Sequence, residues 1–256
     1  MIPAVWIYWI VSLTISTYFS AYIVRKFKKY GFTVLTSLYT IYLAVAQIVG
    51  ARIVELDLGF YTLLADAGVF IYPFIAQVID MINEVYGRKM AHLAIIITFI
   101  TQVLLVIFIA LTNSLHPAPF FRYEEAWQNI FSLSIRITIA SWITFLICQN
   151  LDAIVFDKLK RTFIKQERTF KYSDIFNPYI WLRSSVSDIV DLTLDSVIFV
   201  TLAFYGVAPI LPLIIGQIIS KNIIGFIDNP WFVWYKAMLN KDRKMKRISN
   251  LQTSLR

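Results

Sequence analysis

Residues 65–89 read ADAGVFIYPFIAQVIDMINEVYGRK. The run is apolar enough to enter a bilayer, yet it carries Asp66, Asp80 and Glu84. Gln77, Asp80 and Glu84 are spaced i, i+3, i+7, so as a helix they share one face. Pro73 lies one turn before Gln77, where it is expected to weaken or kink that helix. A carboxylate in hydrocarbon costs about 2.5–3.5 kcal/mol on insertion scales, so such groups face a bundle interior or a cavity. Two carboxylates one turn apart also repel, which calls for a proton or a donor-rich partner. The stretch therefore predicts a polar site inside a membrane protein. For Glu84 a second reading stays open: a cytoplasmic surface position paired with Arg88 at i+4.

The rest of the chain agrees. Of its 256 residues 58% are hydrophobic, and the mean hydropathy is +0.66. This predicts an all-α polytopic membrane bundle with the bilayer as its solvent. Seven spans are expected, at about Pro3–Val24, Phe32–Val54, Leu63–Val85, Met90–Thr112, Asn129–Phe156, Trp181–Tyr205 and Val207–Ile227. A net charge of +8 invites a nucleic-acid reading, but the positions of the charges argue for no nucleic acid. Lys and Arg gather in alternate loops: Arg25, Lys26, Lys28 and Lys29; Arg88 and Lys89; six residues from Lys158 to Lys171; and the tail from Lys236 onward. The opposite loops hold only Arg52 and Arg122. Positive charge stays inside, so the N-terminus is expected outside and the C-terminus in the cytoplasm. The first span has no ionisable residue before Arg25 and no basic n-region, so it is expected to be a retained extra anchor on a six-helix body, not a cleaved signal. Residues 1–30 would be that anchor with its basic loop, 31–236 the body and 237–256 a basic tail. Trp6, Tyr8 and Trp9, and Trp231, Trp234 and Tyr235, read as interface belts. Asp157 to Ile180 reads as a cytoplasmic surface loop.

A single cysteine, Cys148, and two separated histidines, His92 and His116, offer neither a disulfide framework nor a metal cluster. HExxH, GxSxG and P-loop patterns are absent. No cofactor is expected. The chemistry-bearing residues lie instead in the later spans. Arg136 is about two turns inside the fifth, and Gln149 and Asp152 are i, i+3 near its inner end. Asp188, Asp191 and Asp195 are i, i+3, i+7 on one face of the sixth. Lys221 lies in the seventh and needs a carboxylate partner, Asp191 or Asp195. Counted from the cytoplasmic ends, Asp80, Asp188, Asp191 and Lys221 are all expected in the inner half. Asp152-Ala-Ile-Val-Phe156 echoes Asp195-Ser-Val-Ile-Phe199, as in transporters built from repeated helical units. The simplest alternative is a set of buried ion pairs that fixes helix register.

At these residues the chain resembles the queuosine precursor transporter family, relatives of the vitamin-uptake S-components of energy-coupling-factor transporters. The resemblance runs from about Thr33 to Tyr235 and rests on four blocks. They are Ala65–Gly68 with Pro73 and Asp80–Gly87; Arg136, Ala140-Ser141, Phe145, Gln149, Asp152, Phe156 and Leu159-Lys160; Trp181-Leu182-Arg183, Ser185, Asp195-Ser196, Phe199 and Ala203-Phe204; and Lys221 with Asp228-Asn229-Pro230. It implies a six-helix transporter body that imports 7-deazaguanines, such as 7-cyano-7-deazaguanine, its aminomethyl form or queuine. Gln77, Asp80, Glu84, Arg136, Gln149, Asp152, Asp191, Asp195 and Lys221 are then the candidate substrate-binding residues. A carboxylate can accept from the ring NH and the exocyclic amine of such a base, while an Arg, Lys or amide donor meets its carbonyl. Two departures stand out: Leu192 occupies a position where the family usually has Gln, and the family body usually lacks the first span. An energising ATPase partner and proton coupling are both open, as is the oligomeric state. The competing readings are a carrier of another vitamin-like molecule and an intramembrane enzyme using Asp152 and Asp195 as an aspartyl pair.

Overall fold

The computed structural model describes residues 4–50, 52–57, 62–131, 135–170, 177–206 and 210–254, with α8 side chains described as far as Asn240. The helices are α1 (Ala4–Lys26), α2 (Gly31–Val49), α3 (Tyr72–Tyr86), α4 (Arg88–Asn113), the short α5 (Glu124–Phe131), α6 (Ile135–Thr169), α7 (Pro178–Phe204) and α8 (Ile210–Ser254). Between α2 and α3 lies an antiparallel hairpin, β1 (Ile53–Asp57) and β2 (Thr62–Asp66), in which Ile53 faces Asp66 and Asp57 faces Thr62. A single 3-10 turn, Ala67–Phe70, joins it to α3.

Six helices close a ring around the seventh. α1 packs on α2 and α8, α2 on α4, α4 on α6, α6 on α7, and α7 on α8. The short α3 packs on α2, α4, α6 and α8, and every residue from Pro73 to Asn83 is buried. Its sequence explains the position. Apolar residues surround the helix, so no face suits water, and its polar groups need partners on several sides at once.

Five of the described helices hold segments long and apolar enough to cross a membrane: Val5–Lys26, Gly31–Val49, Arg88–Asn113, Ile137–Glu167 and Ile210–Asn240. This is an all-α multi-pass membrane bundle. α7 is long but carries Arg183, Asp188, Asp191 and Asp195, all turned inward and buried. The expected span at 63–85 needs correction. The outer part of that run is hairpin and 3-10 turn, and the 15 residues of α3 rise only about 22 Å. Pro73 does not kink a helix there. It sits in the first turn of α3, where its missing N–H costs nothing. Gly87, at φ +83°, ends α3 in a conformation that suits only glycine, and α4 starts at the next residue.

One expected surface segment is also corrected. α6 continues to Thr169, well past Phe156, and buries Glu167. Asn177 then binds both neighbouring helices: its Nδ2 donates to the Glu167 carbonyl at 3.0 Å, and its Oδ1 caps α7 by accepting from Tyr179 N at 3.1 Å. The basic tail continues α8, whose backbone stays helical to Ser254. Trp9 and Tyr235 are core residues and not interface anchors, and Trp231 donates its ring N–H to Thr14 of α1 at 2.9 Å.

Lipid offers little hydrophobic drive for helix association, so packing and interhelical hydrogen bonds hold the ring. Thr40 and Thr98 join α2 to α4 at 2.9 Å, and His92 and Asn150 join α4 to α6 at 2.6 Å. Asn83 of α3 donates to the Ala153 carbonyl of α6 at 2.8 Å. α1 takes part through more than its apolar surface. Trp9 donates to the Phe70 carbonyl at 2.8 Å, Ser16 bonds Tyr42 at 2.6 Å, and Thr17 donates to Gln77 Oε1 at 3.0 Å. It is a wall of the bundle.

Candidate functional site

The buried charges form three tiers along the bundle. The first lies at the hairpin end. Lys221 of α8 bonds Asp195 of α7 at 2.5 Å, and its ammonium stands 4.0 Å from the centre of the Tyr72 ring. Gln217, one turn earlier on α8, donates to Asp66 Oδ2 at 3.3 Å. Of the two partners considered for Lys221, the structure selects Asp195. The pair is displaced toward the hairpin and is not in the half that holds the charge-rich loops.

The middle tier is acidic. Asp80 of α3, Asp152 of α6, Asp188 and Asp191 of α7, and Asp228 of α8 are all buried. Hydroxyls and amides serve them. Ser184 donates to Asp80 Oδ2 at 3.1 Å, and Ser187 donates to Asp152 Oδ1. Tyr39 of α2 donates to Gln149 Oε1 at 2.6 Å, and Gln149 Nε2 donates onward to Asp191 Oδ2 at 3.1 Å. Among the described residues no salt bridge reaches any of the five. Among the described residues, Asp80 Oδ1, Asp191 Oδ1 and the Gln77 amide nitrogen have no hydrogen-bond partner. Leaving such groups buried and unmet costs about 1–3 kcal/mol each, more for a charge, so the tier is built to meet protons, donors or a cation from elsewhere.

The third tier, at the opposite end of α3, is an ion network. Glu84 Oε1 meets Lys236 at 2.9 Å, and its Oε2 meets Arg183 at 2.9 Å and Lys160 at 3.2 Å. Glu167 takes Arg183 Nε at 3.3 Å and also binds Lys236. The Arg183 guanidinium lies over Phe156 and Phe232, at 4.8 and 5.6 Å from their ring centres. This corrects the surface reading of Glu84: three cations from α6, α7 and α8 converge on it, and it is buried.

The sequence candidates are thus divided. Gln77, Asp80, Gln149, Asp152 and Asp191 meet around the middle tier, Asp195 and Lys221 lie on one side of it, and Glu84 lies on the other. Arg136 falls in the first turn of α6, and its side chain lies outside the described residues. Asp152 and Asp195 are engaged separately, by Ser187 and Lys221, and no hydrogen bond joins them among the described residues. Nor, among those residues, does any group of three or more His, Cys, Asp or Glu side chains converge to hold a metal ion. Sequence reasoning missed Tyr39, Ser184, Ser187, Glu167 and Lys236. The lone Glu167 inside a basic run was a signal that it serves those cations. Tyr39 sits in an apolar run with nothing to mark it.

Comparison with known proteins gives the site its setting. Residues 66–235 match the family described as "Putative vitamin uptake transporter", over more than half of the chain. A "Probable queuosine precursor transporter" of Bacillus subtilis (strain 168) is 26% identical over 187 residues, covering 72% of this chain and 77% of the relative. No solved structure matches. The chain belongs to the vitamin uptake transporter family and is a multi-pass membrane transporter.

Proposed function

We propose that this transporter imports a queuosine precursor, a 7-deazaguanine, and reads its pairing edge in the acidic tier. The observation that carries this is on α3. Gln77 and Asp80 share one face, and the amide nitrogen of the first and Oδ1 of the second are buried without partners among the described residues. A guanine-type edge offers a carbonyl beside a ring NH and an exocyclic amine. One free donor next to one free acceptor complements that order, and the free Asp191 Oδ1, oriented through Gln149 and Tyr39, supplies a second acceptor. The name of the bacterial relative supports the same ligand class. Asp152 backs the tier through Ser187. The ion network around Glu84 closes the bundle on the side of the basic loops, which the positive-inside rule assigns to the cytoplasm. In this reading residues 31–236 form the transport body, and α1 (with the loop to residue 30) is an added wall.

The test is ligand binding to the purified protein in detergent, read as a thermal shift. The panel holds the cyano and aminomethyl deazaguanines, queuine, guanine and unrelated vitamins. A ligand bound only by the folded state raises the melting temperature, by about 2.7 kcal/mol of stabilisation at 100 times its Kd. A shift with a deazaguanine and none with guanine is expected. A shift only with an unrelated vitamin would overturn the substrate assignment.

A further inference from the structure

Three buried side chains on three helices form one chain of hydrogen bonds: Tyr39 of α2, Gln149 of α6 and Asp191 of α7. The Tyr39 hydroxyl donates to Gln149 Oε1 at 2.6 Å, and Gln149 Nε2 donates to Asp191 Oδ2 at 3.1 Å. The Tyr39 ring is fully buried and packs on Phe145, one turn before Gln149 on α6, with ring centres 6.2 Å apart. The chain ends at Asp191 Oδ1, which has no partner among the described residues.

Chemistry gives this chain a direction. A primary amide has a donor end and an acceptor end, and a half-turn exchanges them. A phenol can donate or accept, so Tyr39 alone does not choose between the two. A carboxylate oxygen without a proton only accepts. With Gln149 Nε2 toward Asp191, Oδ2 is the acceptor, Oε1 faces α2, and the phenol must donate. The half-turned amide would set its oxygen against Asp191 Oδ2, acceptor to acceptor. Tyr39 thus holds the amide in the one orientation that occupies Oδ2 and leaves Oδ1 as the free oxygen. Without its hydroxyl, Gln149 Oε1 is buried and unmet, and nothing on the α2 side fixes the amide.

Asp80 and Asp191 each stand within electrostatic reach of Asp152 and Asp188, so their free Oδ1 atoms belong to one tier. Along the edge of a deazaguanine the order is carbonyl, ring NH, exocyclic amine. Gln77 Nε2 and Asp80 Oδ1, a turn apart on α3, complement the first two. The amine is left for Asp191 Oδ1 on α7. We propose that Asp191 reads the exocyclic amine and that Tyr39, acting through Gln149, is the positioning residue that sets this specificity. The proposal rests on the substrate reading given above and assigns one group of the ligand to one residue. A hydrogen bond to a charged acceptor corresponds to an affinity ratio of about 10-fold or more.

The experiment compares equilibrium binding of a 7-deazaguanine and its 2-deamino counterpart, which carries hydrogen in place of the exocyclic amine, to the purified full-length protein. Melting curves serve as the folding control. The wild type is expected to bind the amine-bearing compound at least about 10-fold tighter. In Tyr39→Phe, which keeps the ring and loses only the hydroxyl, the ratio should fall below about 3-fold while the 2-deamino compound binds as before. Gln149→Met breaks the same chain and carries the test if Tyr39→Phe fails to fold. Adding Tyr39→Phe to Gln149→Met should lower the ratio no further, since the two residues act as one unit; a merely structural tyrosine would weaken both compounds alike. A wild type that binds both compounds equally, or a ratio that persists in folded Tyr39→Phe, would overturn the assignment and leave the deazaguanine reading intact. Binding of neither compound, with binding of an unrelated vitamin, would overturn both.

Discussion

Glu84 is held by three cations, and the consequences of removing it can be worked out by counting charges. The network contains two carboxylates, Glu84 and Glu167, and three cations, Lys160, Arg183 and Lys236. Glu84→Gln leaves one carboxylate facing three buried or half-buried cations. Arg183→Met leaves two carboxylates facing two lysines, so the charges balance better than in the wild type. Breaking a buried pair by deleting one partner costs about 3–5 kcal/mol, because the other charge is left uncompensated. Glu84→Gln should sit at or above the top of that range. Arg183→Met should cost less, roughly 1–3 kcal/mol, mainly through its lost contacts with Phe156 and Phe232. At about 2–4 °C per kcal/mol for a chain of this size, Glu84→Gln should lower the melting temperature by at least about 10 °C, and Arg183→Met by less. The assay is thermal unfolding of the purified proteins in one detergent. A larger drop for Arg183→Met than for Glu84→Gln, or drops under about 2 °C for both, would refute the argument that Glu84 is the hub.

Other consequences are open to direct measurement. Thr17 holds the Gln77 amide through its hydroxyl, so Thr17→Val should raise the KM for uptake several-fold, while Thr17→Ser, which keeps the hydroxyl, should stay near wild type; equal KM values for both would remove α1 from the site. Lys221→Ala leaves Asp195 buried without its cation and should reduce the yield of folded protein, whereas the double variant Lys221→Ala, Asp195→Ala should regain much of it; a double variant as unstable as the single one would show that the pair is not a unit. Asp152→Ala should abolish uptake with the protein still inserted, as judged by membrane yield against accumulated label. For orientation, in a Cys148→Ser background an impermeant thiol reagent applied to intact cells should label a cysteine placed at Ser114 but not one placed at Lys158; the reverse pattern would invert the topology.

Much of this was legible in the sequence for a physical reason. Helical spacing places Gln77 and Asp80, or Asp188, Asp191 and Asp195, on shared faces whatever the tertiary fold, and hydrocarbon forces those faces inward. The failures of such reading follow from the same limits, and three occurred. Residues 63–70 are apolar enough to pass for the start of a span, and only pairing between β1 and β2 distinguishes the strand from a helix. The run after Phe156 is basic and looks solvated, but Glu167 of α6 meets Arg183 of α7, a contact that local pattern cannot foresee. Trp9, Trp231 and Tyr235 have the composition of an interface belt, but Trp9 and Tyr235 are buried in the core and Trp231 bonds Thr14 of α1. In each case a partner outside the local pattern decides the outcome.

The most direct test of the account is uptake of a labelled 7-deazaguanine by the purified protein in proteoliposomes, set against Asp191→Asn and empty vesicles. The account predicts accumulation of unchanged label by the wild type, competed by unlabelled deazaguanine and not by guanine, and loss of uptake in the variant. Accumulation equal to that of empty vesicles, or uptake by Asp191→Asn at the wild-type rate, would contradict it.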